Sequence, residues 1–77
     1  MANQIPKIFG IEMRSCEDGT AWALKDVIIR SGEDGFYYYI CFTEKTHRGR
    51  THGLGSATQA LENIISSIRK QANELGT

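Results

Sequence analysis

The sequence has little proline and cysteine and lacks any long apolar run. Its 77 residues contain one proline and two cysteines, Cys16 and Cys41. Two cysteines at this spacing match neither a disulfide-dense secreted scaffold nor the Cys-x-x-Cys pairs of a zinc site. No segment approaches the roughly 18 apolar residues of a membrane span, and residues 1–6 lack the basic start and apolar stretch of a secretion signal. We therefore expect a cytoplasmic protein with reduced thiols.

The chain also lacks net charge, since nine Lys and Arg residues balance nine Asp and Glu residues. A neutral molecule has no overall field that would attract polyanions, so nucleic-acid binding would require local clusters of basic residues. Apolar residues make up 40% and charged residues 23% of the chain, which is typical of a folded globular domain. We expect a single domain over residues 1–77, with residues 1–6 as a flexible N-terminus. A chain of this length has one modest core and little room for a substrate cavity, which favours a binding module over an enzyme.

Alternating apolar residues predict two strands in the first half of the chain. Residues 7–14 alternate with the two-residue period of a half-buried strand. Asp18-Gly19 then favours the positive φ angles of a tight hairpin turn. A second strand is expected over residues 21–30, but its apolar parity changes in the middle. Either a bulge near Lys25-Asp26 or a strand with apolar groups on both faces would explain this change.

A third strand is expected over residues 36–43, after a second hairpin turn at residues 31–35. Both of its faces are apolar, and the strand carries two stripes: Phe36, Tyr38, Ile40 and Phe42 on one face, and Tyr37, Tyr39 and Cys41 on the other. The near-symmetric segment 45–52 predicts a turn at Arg48-Gly49 and a short fourth strand that ends near Leu54.

An amphipathic helix is expected at the C-terminal end. Ser56 and Gln59 have the spacing of a capping box, and Gly76 suits the position that follows a helix. The apolar residues between them recur at steps of three and four: Ala57, Ala60, Leu61, Ile64, Ile65, Ile68, Ala72 and Leu75. The predicted fold is therefore α+β, a three- to four-stranded antiparallel meander packed on one C-terminal α-helix.

The segment Asn63-Ile-Ile-Ser-Ser-Ile-Arg-Lys-Gln-Ala72, preceded by a tyrosine-rich strand and a return strand, resembles the end of small bacterial domains of the YegP-like type. The resemblance covers less than half of the chain and implies a strand-rich unit packed on a helix. The function of that family is unassigned. The order of three strands and a helix is also similar to the DNA-binding arms of some phage integrases and to HicB-type antitoxins, without their signature residues. The likeness therefore bears on the fold alone.

Residues that could carry chemistry are few. A thiol nucleophile would need His47 or His52 beside Cys16 or Cys41, and a strand cysteine usually acts as a small apolar residue. The two histidines lack a third metal ligand. The paired carboxylates at residues 17–18 and 33–34 precede glycines and are explained as turn residues. We expect no catalytic residue, no metal, no cofactor and no small-molecule substrate.

A basic segment provides one candidate binding site. Five basic side chains fall within eight residues without an acid between them: Lys45, His47, Arg48, Arg50 and His52. Such a cluster can neutralise successive phosphates, although charged residues are also common on exposed strands for solubility. Nucleic-acid binding through residues 45–52 is the alternative function.

The aromatic third strand provides the leading candidate. One helix covers one face of a sheet, so if Phe36, Tyr38, Ile40 and Phe42 face the helix, Tyr37 and Tyr39 face away. Tyrosine is enriched in protein interfaces, and Trp22 is the neighbouring residue that could join or cover the pair. The leading hypothesis is a non-enzymatic interaction module that uses this face to form a homodimer or to dock on a larger protein. Phage-encoded inhibitors of bacterial defence complexes, which have similar size and build, work by such docking.

Overall fold

The computed structural model describes residues 5–75 as an antiparallel sheet, a small hairpin and one helix. The elements, in chain order, are β1 Lys7–Ile8, β2 Ile11–Glu12, β3 Arg14–Cys16, β4 Ala21–Leu24, β5 Val27–Ser31, β6 Tyr37–Cys41, β7 His47–Thr51 and α1 Leu54–Leu75. Strands β1 and β2 form the hairpin, and β3 to β7 form a five-stranded meander in sequence order. The predicted α+β meander with one C-terminal helix is confirmed, with more strands than expected.

The first predicted strand is divided by a turn. Phe9 and Gly10 both have positive φ angles, 51° and 79°, and they form a two-residue loop between the paired residues Ile8 and Ile11. Positive φ at both loop positions is the geometry of a type I′ hairpin. The prediction of one continuous strand over residues 7–14 is therefore wrong, because the glycine at position 10 permits a reversal that the alternating pattern conceals.

The second predicted strand is also two strands. Leu24 pairs with Val27, and Lys25-Asp26 forms the loop between β4 and β5. The change of apolar parity at this point is the result of a chain reversal, so the bulge and the two-faced strand were both wrong. The turns predicted at Asp18-Gly19 and over residues 31–35 are confirmed, with φ of 57° at Asp18 and 88° at Gly19.

The return strand after β6 exists, but its turn lies earlier than predicted. The chain reverses between Cys41 and His47, where Glu44 has a φ of 66°, and β7 then runs through Gly49 without a break. The turn predicted at Arg48-Gly49 is therefore wrong. Gly49 has another role, which is to make room for a side chain of β6.

The core lies between the sheet and α1. Ile29, Leu61 and Cys41 are the largest fully buried side chains, and Val27 and Ala57 pack with them. Full burial of one such aliphatic side chain contributes about 1.5–3 kcal/mol, so a few of these positions determine which face of each strand turns inward.

The helix begins earlier than the predicted cap. Ala57 donates its backbone N–H to the carbonyl of Gly53, at 3.1 Å, and α1 starts at Leu54. Ser56 therefore lies within the first turn, and the predicted capping box is wrong. The C-terminal position assigned to Gly76 lies outside the described residues. No helix in the described part of the chain has the length and apolarity needed to cross a membrane.

The two faces of β6 are the reverse of the prediction. Ile29 pairs with Tyr39 and Val27 pairs with Cys41, so these odd-numbered residues share the face that packs on α1. The predicted inward stripe, which includes Tyr38 and Ile40, lies on the opposite face. The register with β5 decides the outcome, because the buried side chains of β5 belong to Val27 and Ile29.

Candidate functional site: the outer face of the sheet

The face of the sheet that points away from α1 is called the outer face. Strand register arranges its side chains in two rows across all five strands. Row one contains Arg14, Ala23, Ile28, Ile40 and Arg48. Row two contains Cys16, Ala21, Arg30, Tyr38 and Arg50. Each row crosses four strand spacings of about 4.8 Å, so its ends lie roughly 19 Å apart.

The centre of the outer face is apolar. Ile28 is 36% exposed, and it lies between Ala23 and Ile40 in row one. A shallow concavity of about 630 Å³ covers this region and extends over Tyr38. Phe42 donates its backbone N–H to the carbonyl of Asp26, which continues the pairing of β5 and β6 and adds a 49% exposed aromatic ring to the same face. No described element covers these side chains.

Arginines surround the apolar centre. Four of the five arginines in the sequence lie in the two rows, namely Arg14, Arg30, Arg48 and Arg50. Neither row contains a lysine or a carboxylate. Arg30 forms an ion pair of 2.7 Å with Glu17 at the edge of the face, where both side chains are exposed and the pair adds little stability. The face therefore carries a surplus of positive charge around an aliphatic centre.

One corner of the outer face is held by hydrogen bonds and ring contacts. Asp34 accepts a hydrogen bond from the Tyr38 hydroxyl and another, of 3.2 Å, from the Phe36 N–H. The Tyr38 bond, the Phe36 bond and the charge of Arg50 lower the pKa of Asp34. The Arg50 guanidinium lies 4.7 Å from the centre of the Phe36 ring, and the His52 ring lies 4.3 Å from it. Tyr38 and Arg50 are therefore held in place at the end of row two.

The residues predicted for the protein interface do not lie on this face. Trp22 is buried, and Tyr37 and Tyr39 are half-buried on the side of the sheet that packs on α1. The Trp22 and Tyr37 rings are 6.2 Å apart, which makes them part of the core packing. The prediction that Tyr37 and Tyr39 face away from the helix is wrong. The aromatic residues on the outer face are Tyr38 and Phe42, together with Phe36 at the corner just described.

The basic segment is divided between the two faces. Arg48 and Arg50 lie on the outer face, whereas His47 lies on the inner side, opposite Cys41. Lys45 lies in the turn before β7, and His52 contacts Phe36 at the corner just described. Of the five predicted side chains, only those of Arg48 and Arg50 therefore lie in the two rows of the outer face.

Sequence reasoning missed Arg14, Arg30 and Ile28 as members of one surface. Arg14 lies on β3, whereas Ile28 and Arg30 lie on β5, and nothing local in the sequence connects these two strands. The sequence does contain a signal for this surface, which is the alternation of inward-facing and outward-facing side chains along β4 and β5. The alternation can be followed only when Lys25-Asp26 is recognised as the turn between these two strands.

The structure brings one thiol and one imidazole together, but the thiol is inaccessible. His47 is the cross-strand partner of Cys41, and Cys41 is fully buried beneath the helix. Cys16 is exposed at the sheet edge on the other face. In the described part of the chain, no three His, Cys, Asp or Glu side chains lie close enough together to hold a metal ion.

A second apolar surface lies on the helix side. An open groove of about 430 Å³ runs between the β1–β2 hairpin and α1, with Ile11, Phe9 and Ile65 on its walls. Phe9 donates its backbone N–H to Glu62, at 2.8 Å, and the Arg69 guanidinium lies 5.2 Å from its ring. These contacts hold the hairpin against the helix. Nothing in the structure indicates what would fill the groove.

The fold and the outer face define a small α+β protein whose open sheet surface combines an aliphatic centre with arginines. No family model, curated protein or solved structure matches the chain. The resemblance of residues 63–72 to YegP-like domains therefore stays a prediction.

Proposed function

We propose that this protein is a non-enzymatic interaction module that docks through its outer face on a larger protein. The observation that carries the proposal is row one, in which the aliphatic side chains of Ala23, Ile28 and Ile40 lie between Arg14 and Arg48. An apolar centre that excludes water, surrounded by polar groups, is the usual anatomy of a protein interface.

The composition of the face supports a protein partner. Arginine and tyrosine are enriched in protein interfaces and lysine is depleted, and the rows contain Arg and Tyr38 without lysine. Arginine also forms two parallel hydrogen bonds with a carboxylate, which gives geometric specificity at the edge of an interface.

The surplus positive charge of the outer face favours a partner that is a different protein, with acidic groups around an apolar contact. Two copies of this chain packed outer face to outer face would bring their surplus arginines together, and like charges across an interface are unfavourable. A homodimer, which was part of the sequence-based hypothesis, is therefore the less favoured form. Docking of this kind could inhibit a larger assembly by occupying its surface, in the manner of phage-encoded inhibitors of bacterial defence.

The test is a site-specific photo-crosslinker introduced in place of Ile40, with the same group in place of Ile11 as the control. Ile11 is 61% exposed but lies on the β1–β2 hairpin, away from the outer face. We expect a protein adduct in host cells from position 40 and none from position 11. The adduct partner is then purified and its affinity measured with the parent protein and with Ile28→Glu.

The Ile28→Glu variant should bind the purified partner about tenfold or more weakly, because it places an unpaired carboxylate in the apolar centre. Sedimentation of the parent protein alone should give the mass of a monomer. Equal affinity of the parent and Ile28→Glu for the partner would contradict the proposal. If the parent protein is instead a dimer and Ile28→Glu is a monomer, the outer face is the interface of a homodimer.

Nucleic-acid binding is the second candidate, favoured by the position of Arg48 and Arg50 beside Arg30 on one face. Two observations weigh against it. Glu17 and Asp34 lie at the same end of this face, and the Phe36 ring that could stack on a base already contacts Arg50 and His52. Anisotropy with labelled duplex DNA and hairpin RNA tests it. Binding that falls steeply with salt and is lost in the Arg48→Ala, Arg50→Ala variant would favour this candidate.

A further inference from the structure

The hydrogen-bonding pattern of the meander determines which backbone groups of β7 are free. In an antiparallel pair, every second residue exchanges hydrogen bonds with its partner strand. Ser31 donates its N–H to the carbonyl of Thr20, so the residues of β5 that bond to β4 are the odd-numbered ones. Its even-numbered residues then bond to β6, in agreement with the bond from Phe42 N–H to the Asp26 carbonyl.

The same alternation continues across β6. Its even-numbered residues bond to β5, so Tyr37, Tyr39 and Cys41 exchange hydrogen bonds with β7. Within β7, the backbone groups of His47, Gly49 and Thr51 therefore point toward β6. The N–H and C=O groups of Arg48 and Arg50 point away from the sheet, and no described backbone group bonds to them from that side.

We propose that the free edge of β7 binds an extended acidic segment of a partner protein as a sixth strand. An unpaired strand edge offers main-chain hydrogen bonds to any extended peptide, and the side chains beside it select the sequence. The segment has the pattern acid-x-acid, with its two carboxylates on the outer side of the sheet.

The pattern follows from register. Side chains directly opposite Arg48 and Arg50 in an added strand lie on the outer face and are two residues apart. Opposite charges at directly paired positions stabilise a sheet, whereas like charges destabilise it. Asp or Glu at both positions therefore forms two cross-strand ion pairs with the arginines.

The residue between the two acids lies on the inner side, next to Gly49. Because Gly49 has no side chain and the hydroxyl end of the Tyr39 ring occupies the space above it, the added strand meets the Tyr39 hydroxyl there, with the edge of the ring beside it. A β-branched residue such as Val suits this central position, since it favours extended backbone and packs against rings.

A second copy of this chain is a poor occupant of the edge. Antiparallel pairing of two β7 strands about Gly49 would place Arg48 of each copy opposite Arg50 of the other, with like charges at both positions. The same arginines that select an acidic segment therefore disfavour edge-to-edge association of identical chains.

The edge proposal is independent of the apolar centre of the outer face. The two sites share the arginine side chains of β7, but strand addition uses the backbone of β7 and does not require Ile28. The Ile28→Glu variant therefore separates them, because it removes docking on the outer face and leaves strand addition intact.

The experiment uses a labelled, end-blocked peptide, Thr-Asp-Val-Asp-Thr, and its uncharged counterpart, Thr-Asn-Val-Asn-Thr. The readouts are anisotropy and the exchange of the Arg48 and Arg50 amide protons with solvent. We expect the aspartate peptide to bind and to slow exchange at both amides, and the asparagine peptide to bind at least about fivefold more weakly. The Ile28→Glu variant should bind the aspartate peptide as the parent does.

A matched pair of variants at one position separates backbone pairing from simple charge attraction. Arg48→Gln removes the charge and keeps the N–H, whereas Arg48→Pro removes both. Proline is tolerated at this position because the missing N–H is not used by the ladder with β6. Arg48→Pro should bind the aspartate peptide about tenfold more weakly than Arg48→Gln, since it lacks one main-chain donor and blocks the edge.

A two-dimensional amide spectrum of each variant checks that its sheet is intact, and Arg50→Pro against Arg50→Gln repeats the comparison if Arg48→Pro fails to fold. Three results would overturn the proposal. They are equal affinity of the proline and glutamine variants, unchanged amide exchange in the presence of peptide, and no binding of the aspartate peptide at all. Loss of peptide binding in Ile28→Glu would instead place the peptide on the outer face.

Discussion

The Tyr39 ring on β6 lies against Gly49 on β7, in the space that a Cβ at position 49 would occupy. This contact explains why a glycine is found in the middle of a strand, where it usually weakens the sheet. It also allows a large ring to face α1 at the side of the core. The glycine thus helps to determine which face of β6 is buried.

Substitution of Gly49 by alanine should destabilise the protein by about 1–3 kcal/mol, because the new methyl group overlaps the Tyr39 ring and forces it to move. Urea unfolding followed by far-ultraviolet circular dichroism measures the change. Gly55→Ala is the control, since a Cβ at position 55 meets no atom within 4 Å and alanine is favoured in a helix. Equal stability of Gly49→Ala and the parent would refute the close contact.

The neighbouring residues Ile28 and Ile29 should respond differently to the loss of one methylene group. Ile29 is fully buried, so Ile29→Val should cost about 0.5–1.5 kcal/mol. Ile28 lies on the outer face, and Ile28→Val should cost less than about 0.5 kcal/mol. Chemical denaturation of the two variants tests which face of β5 is buried. A larger loss of stability in Ile28→Val than in Ile29→Val would mean that Ile28, and not Ile29, faces the core.

Protonation of Asp34 should reduce stability at acid pH. The Tyr38 hydroxyl, the Phe36 N–H and the Arg50 charge all favour the carboxylate and lower its pKa in the folded protein below the usual 3.8. A lowered folded-state pKa stabilises the protein above pH 3.8, and this contribution is lost as the pH falls through the lower value. Thermal unfolding as a function of pH should therefore show a shallower acid decline in Asp34→Asn than in the parent.

The matched control for this pH series is Glu33→Gln, which removes a carboxylate from the same turn and leaves the bonds to Tyr38 and Phe36 in place. Asp34→Asn should also lower stability at neutral pH, where the parent has its charged acceptor. An acid decline in Asp34→Asn as steep as that of the parent would argue against this role of the carboxylate.

The two cysteines should differ in their reaction with a thiol reagent. Cys16 is exposed and Cys41 is fully buried, so one thiol should react in the folded protein and two in denaturant. Absorbance of the released reporter group gives the count. Cys16→Ser should show no fast reaction when folded, and fast reaction of its remaining thiol would mean that the core beneath the helix is open.

The helix and the fold class could be predicted from the sequence because their signals are local. The residues of α1 that recur at steps of three and four include Leu61, which is fully buried, and Ile64 and Ile65, which pack on the core. The turns at Asp18-Gly19 and Gly32–Gly35 carry the residues that positive φ or tight reversal requires. Such signals depend on a few adjacent residues and need no knowledge of the tertiary structure.

The faces of β6 could not be predicted because both are apolar. The alternation of Tyr37, Tyr38, Tyr39 and Ile40 gives no preference, and the choice depends on the register with β5 and on the space at Gly49. The outer face could not be predicted because it also depends on strand register. Four successive strand pairings bring Arg14 and Arg48 to the two ends of row one.

The separation of arginine from lysine has a practical consequence for binding assays. All four lysines lie outside the two rows of the outer face and are exposed to solvent: Lys7, Lys25, Lys45 and Lys70. Reagents that modify primary amines therefore attach dyes, biotin or a sensor surface at these side chains without reacting with the guanidinium groups. When the protein is coupled through its lysines, the side chains of the two rows of the outer face stay chemically unmodified and can bind a partner in solution.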